Sequence, residues 1–150
     1  RDYPNKFPNH YKKLEELIWT YDQDMPIPTG IKHTRPSFNQ FMKYSLNFEE
    51  NNYGTEIIAV KENKYIGSTD ISVYHKSEPY KGWTGGLGVL KEFRRRGIAT
   101  AIKVRAIEKL LAKGVIEIRT DNEENNPMYK INVALGFKPV PFSLDYSKNI

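Results

Sequence analysis

Between His10 and Tyr21 the apolar residues Tyr11, Leu14, Leu17, Ile18 and Tyr21 recur at intervals of three and four, the spacing of an amphipathic helix. The stretch 25–36 carries three prolines and Gly30, which breaks regular structure, and Ser37 is placed to cap a second helix bearing Phe38, Phe41, Met42 and Leu46. The polar run 49–52 and Gly54 close it. The period then changes from helical to alternating. Residues 56–61 and 64–74 are rich in β-branched and aromatic side chains, and Glu62-Asn63 between them reads as a hairpin turn. A third strand over 83–90 holds Gly85, Gly86 and Gly88. Glycine weakens a strand, so three of them mark a bulge or a place where a ligand or another backbone comes close. A long helix follows over 98–113, with Ile98, Ile102, Ile107, Leu110 and Leu111 on one side and Gly114 as its stop. A short strand at 115–120, a helix from 126 or 127 to 135 ended by Gly136, and one or two closing strands over 137–146 complete the pattern. Without repeats or internal linkers, this order predicts one α+β domain over residues 1–150.

A chain of 150 residues with 39% hydrophobic, 13% aromatic and 27% charged residues has the composition of a globular domain able to bury its own core. No segment reaches the roughly 18 apolar residues of a spanning helix, so no membrane partner is expected. The absence of cysteine removes disulfides, thiolate nucleophiles and cysteine-bound zinc, and a reducing, cytoplasmic setting is the expectation. His10, His33 and His75 are widely spaced, and no metal is expected.

The net charge of +5 is unevenly distributed. Residues 91–113 hold eight basic and two acidic side chains, and the rest of the chain sums to −1. Such a segment reads as a nucleic-acid patch, a solvated helix face or the seat of a small polyanion. The order strand, basic turn, helix over 89–100 favours the last. Amides at the start of a helix have no internal partner and carry the positive end of its dipole. Gly97 and Ala99 let a phosphate approach that backbone, and Arg94, Arg95 and Arg96 add charge to it. Neither a Walker A sequence nor G-x-G-x-x-G ahead of a helix is present, so the phosphate belongs to a different kind of ligand.

Arg94-Arg-Arg-Gly97-Ile-Ala99, with Val89 five residues ahead, resembles the (Q/R)-x-x-G-x-(G/A) acetyl-CoA signature of the GNAT-type N-acetyltransferases. Thr120-Asp-Asn122 to Asn125, Met128, Asn132 and Leu135-Gly136-Phe137 resemble the second half of the same pattern. The resemblance covers residues 56–140 well and the two leading helices loosely. It implies a mixed, mostly antiparallel sheet with helices on both faces, whose fourth and fifth strands splay apart around the cofactor's pantetheine arm. On that pattern Leu87 and Val89 would pair the arm, the amides of Arg95, Arg96, Gly97, Ile98, Ala99 and Thr100 would hold the pyrophosphate, and Asn125 and Asn132 would face it from across the cleft. The family has a strand ahead of its first helix. Only nine residues precede His10, so this stretch either lacks that strand or is the second half of a tandem protein.

Acetyl transfer to an amine requires the neutral amine, and deprotonating a lysine-like one at pH 7 costs roughly 4 to 5 kcal/mol. The glycine-bearing strand offers no carboxylate, so Asp70, Glu56 and His75 become the candidate bases. Many family members place a tyrosine, which protonates the departing thiolate, four residues before the glycine of Leu-Gly-Phe. Here that position is Asn132, and Tyr129 lies three residues earlier, about 60° away around the helix. A thiol of pKa near 8.5 leaving at pH 7 needs its proton only to the extent of about 2 kcal/mol, so the loss is tolerable. The acetyl oxygen is expected to find donors among the amides of the strand glycines. The sequence thus predicts an N-acetyltransferase moving acetyl from acetyl-CoA to a small-molecule or peptide primary amine, by direct attack in a ternary complex. Its rivals are a CoA-binding regulatory module without turnover and, further off, a basic nucleic-acid binder.

Overall fold

The computed structural model describes residues 9–25, 32–51, 53–74, 76–122 and 126–140. Helix α1 (His10–Asp22) and helix α2 (Phe38–Asn51) lead into the strands β1 (Tyr53–Lys61), β2 (Lys64–Val73) and β3 (Lys81–Val89). A 3-10 turn (Lys91–Phe93), helix α3 (Ile98–Leu111), strand β4 (Glu117–Arg119) and helix α4 (Pro127–Ala134) follow. The Ser37 cap forms as a reciprocal pair: Ser37 Oγ accepts from the Gln40 amide at 3.3 Å, and Gln40 Oε1 accepts from the Ser37 amide at 2.8 Å. Asn126 caps α4 through the Met128 amide at 2.9 Å. Residues 137–140 are irregular, and the rest of the stretch expected to form closing strands lies outside the described residues.

The strands form one sheet in the order β1-β2-β3-β4, antiparallel except for the parallel pair of β3 and β4. Helices cover both faces. Ile102, Ala106 and Leu110 of α3, with Val115, pack on Ile57, Ile71 and Val73. Leu14, Leu17 and Tyr21 of α1 pack on Tyr65 and Leu90 across the other face. Leu111, expected in the apolar stripe of α3, is 57% exposed, because it lies opposite Ile102 on the helix and the sheet reaches only one side. This is the mixed, mostly antiparallel α+β architecture expected from the sequence.

Two features of the sheet position the site. Thr69 pairs Leu87 and Ile71 pairs Thr84, so Asp70 alone faces Gly85-Gly86, a bulge at the glycines that invited one. Strands β3 and β4 pair only over Lys81↔Glu117, Gly82↔Ile118 and Trp83↔Arg119, and beyond that they part.

Candidate acyl-transfer cleft

Where β3 and β4 separate, the Thr84 hydroxyl bonds the Thr120 hydroxyl at 2.5 Å and closes the narrow end of a fork. Past it lies a cavity of about 240 Å³. Thr84, Gly85 and Leu87 form one wall, Thr120, Asp121 and Asn122 the other, and Lys103, Asn126 and Met128 reach in from the helices.

From the open end of β3 the chain crosses the 3-10 turn to the N-terminus of α3. Gly97 caps that helix in the left-handed region at φ 76°, with no side chain bonded to the terminal amides. A Cβ on Gly97 would meet nothing within 4 Å, so the amides of Ile98, Ala99 and Thr100 are open to an approaching anion. Arg95 is itself left-handed at φ 59°. The three arginines divide their work. Arg94 donates to the Val89 carbonyl and to Asp24, each at 2.7 Å, and so ties the basic turn to β3 and to the chain after α1. Arg96 donates to the Glu92 carbonyl at 3.0 Å and lies over Phe93, and Arg95 is exposed. The segment 91–113 is therefore not one continuous basic stripe.

Of the candidate bases, Asp70 lies beneath the bulge. Its Oδ1 accepts from the Gly86 amide at 2.8 Å, and a Cβ added to Gly85, a cavity-wall residue, would lie 2.1 Å from Oδ2. Burial pushes the Asp70 carboxyl above the usual carboxylate range, against the opposing pull of the Gly86 hydrogen bond. Glu56 pairs Asp70 directly across β1 and β2, on the same face of the sheet. His75 and Asn125 lie outside the described residues. Tyr129 is half-buried on α4, whose contribution to the cavity wall is Met128. The Gly86 amide, one of the donors expected for the acetyl oxygen, is engaged by Asp70.

Tyr21 reaches the same region from α1. Its hydroxyl shares a hydrogen bond with Ser68 at 3.2 Å, and its ring covers Gly88. Burial raises the Tyr21 phenol far above its usual value, and the charges of Asp22, Asp70 and Glu56 add to the effect. Three carboxylates therefore act on one point of this face.

Lys103 escaped the sequence reading, which counted it in the basic patch. It is 2% exposed. Its Nζ donates to Asn132 Oδ1, and Asn132, 4% exposed, donates through Nδ2 to Asn122 Oδ1. Thr120 donates to that same Asn122 oxygen at 3.3 Å, so the chain of bonds runs from α3 round the cavity mouth to Thr84. The Phe137 ring of Leu-Gly-Phe stands 5.0 Å from Nζ. Burial lowers the Lys103 ammonium to a pKa of about 8. The signal was present in the sequence: at 100° per residue Lys103 lies only about 20° from buried Leu110 on the wheel of α3.

Among the described residues no cluster of potential metal ligands is found, and no helix is long and apolar enough to cross a membrane. The sequence matches the model of the acetyltransferase (GNAT) family over residues 13–137. No match is found among curated proteins. Among solved structures, the chain is similar to the aminoglycoside N-acetyltransferase AAC(6′)-Iy bound to the bisubstrate analogue CoA-S-monomethyl-acetylneamine, at 21% identity and a TM-score of 0.69, covering 95% of this chain and 94% of that one. It is also similar to a putative acetyl transferase from Pyrococcus furiosus, at 15% identity and a TM-score of 0.72, covering 94% and 95%. A third similar structure is the aminoglycoside 6′-N-acetyltransferase AAC(6′)-IG from Acinetobacter haemolyticus, at 19% identity and a TM-score of 0.66, covering 93% and 92%. The forked sheet, the glycine bulge and the open helix start are thus the features of an acyltransferase that takes acetyl-CoA as its donor, and the chain belongs to the acetyltransferase (GNAT) family.

Proposed function

We propose that the protein transfers an acetyl group from acetyl-CoA to a primary amine, by direct attack within a ternary complex in a cytoplasmic setting. The observation that carries this reading is the continuity of the fork with the α3 N-terminus. A diphosphate on the amides from Arg95 to Thr100 leaves an arm running back along Val89 and Leu87, and the arm ends in the cavity where Thr84 and Thr120 close the fork. Asp70 is the base favoured by its place: half-buried, poised above the usual carboxylate range and against the Gly85 wall, it suits removal of a proton from an ammonium acceptor. The carboxylates Asp22, Glu56 and Asp70 around Tyr21 favour a cationic acceptor on the α1 face. Two of the similar structures are named for aminoglycosides, which are polyamines of that kind.

The test begins with calorimetry. Coenzyme A should bind the protein in the micromolar range, and Gly97→Val, which places a branched side chain in the left-handed position at the anion site, should weaken binding at least tenfold, with a backbone strain of about 1 to 3 kcal/mol that equilibrium denaturation reads separately. Unchanged affinity in that variant sinks the reading. A panel of amines with detection of released thiol then separates turnover from a binding module: release dependent on an added polyamine supports the transferase, and tight binding without release with any amine supports the module.

A further inference from the structure

We propose that Lys103 is a catalytic residue: its ammonium, positioned by Asn132, gives a proton to the coenzyme A sulfur as the thioester breaks. The inference rests on the reading above and assigns a group to the step that the sequence leaves without one.

Geometry carries it. Lys103 is among the most buried side chains of α3, yet it borders the cavity that receives the reactive end of the arm. An ammonium has three N–H donors. One goes to Asn132 Oδ1 and one side of the head lies over Phe137, so at least one donor has no protein partner among the described residues and is available to the cavity. Asn132 stands where the family's tyrosine would be, and its amide is too short to reach as far as a phenol. The Lys103 nitrogen lies one hydrogen bond beyond that amide and brings a proton donor to the cavity wall. The orientation of Asn132 is determined, since the ammonium can only donate and Asn122 Oδ1 can only accept; the amide must turn its oxygen to Lys103 and its nitrogen to Asn122. Thr120 holds Asn122 in turn, so the positioning residues are fixed to both strands of the fork.

The surroundings keep the group acidic enough to act. Among the described residues Asp121 is the titratable group that shares the cavity; Lys130 and Lys138 on the neighbouring segments are exposed, Tyr129 is half-buried outside the cavity wall, and Arg105, two residues along α3 and turned to its far side, is paired to Glu108 at 3.1 Å. Burial brings the ammonium to a pKa of about 8, close to that of a free thiol. In the step, the acceptor nitrogen bonds the carbonyl carbon and the carbon–sulfur bond breaks with its electron pair on sulfur. The sulfur takes a proton from Lys103 Nζ, and the neutral amine regains one from water after the products leave. The proton lost from the acceptor nitrogen goes to the base, so the net products are the amide, the free thiol and one proton.

The experiment reads the sulfur directly. Bound coenzyme A is titrated by the ultraviolet absorbance of its thiolate, in the wild type and in Lys103→Met, after calorimetry has established binding in both. The thiolate should appear in the wild-type complex at least one pH unit below its position in Lys103→Met, and kcat should fall about thirtyfold in that variant at pH 7, the gap between thiol and thiolate. Asn132→Ala, which keeps the lysine and frees it, should shift the thiol in the same direction by less. If coenzyme A binds Lys103→Met as it binds the wild type and the thiol titrates unchanged, the proposal is overturned while the acetyltransferase reading stands. If the wild type itself fails to bind, both fall at the calorimetric step. Stoichiometric acetylation of Lys103 on mixing with acetyl-CoA, read by mass spectrometry, would make it an acyl acceptor and overturn its role as an acid.

Discussion

Replacing Asp70 with asparagine keeps an oxygen to accept from the Gly86 amide and removes a charge that burial disfavours. If Asp70 is the base, Asp70→Asn should lower kcat by about 10² to 10⁴ while leaving the calorimetric affinity for coenzyme A unchanged. Equilibrium denaturation should report a gain in stability at pH 7. The sign follows from the upward shift: the wild-type carboxyl contributes most when protonated, below its ordinary pKa of 3.8, and that contribution is lost as pH rises through the raised folded value. A variant that is stable yet retains full turnover would move the base elsewhere. At this scale the sequence was informative about residue type and silent about direction. Asp70 and Glu56 could be nominated as carboxylates on adjacent strands, but only the bulge put Asp70 against the glycines. Lys103 is one of eight basic residues in 91–113, and only its angle on the helix sets it apart from the surface charges.

For the elements, periodicity carried nearly all the information. The spacing of three and four in α1, the cap at Ser37, the turn at Glu62-Asn63 and the glycine ahead of α3 are local signals with local causes, and each element formed where its signal lay. Docking between elements is not local. Tyr21 lies flat over Gly88, and a Cβ there would sit 2.3 Å from ring carbons of a side chain only 3% exposed. Gly88→Ala must therefore push α1 away from β3, at a cost of about 1 to 3 kcal/mol. A chemical denaturation series should show that loss, together with weakened coenzyme A binding, because α1 and β3 border the same region. Retention of wild-type stability would mean that α1 adjusts freely. The glycine cluster announced a close approach in the sequence, but whether a ligand or a helix made the approach was decided only when α1 folded across it.

Across the whole molecule, the pH dependence of stability should carry the signature of the buried lysine. With a folded pKa of about 8 against an ordinary 10.5, Lys103 binds more protons in the unfolded chain between those values, so its contribution to stability rises with pH across that window. The difference amounts to roughly 3 kcal/mol at most. Lys103→Met should accordingly be more stable than the wild type at pH 7, and the advantage should shrink toward pH 10.5. Urea melts of both proteins over that range check it, and a methionine variant less stable at pH 7 would contradict the burial cost. The sequence by itself determined the order and kind of the elements and the bare, glycine-led start of α3, since helix period, strand alternation and glycine at a left-handed position are written in neighbouring residues. Tertiary structure alone decided which groups meet in the cleft. Thr84, Lys103, Asn122 and Asn132 come from separate elements and are joined only by the parting of two strands, and their chemistry follows from burial, a property of the packed whole that no run of residues contains.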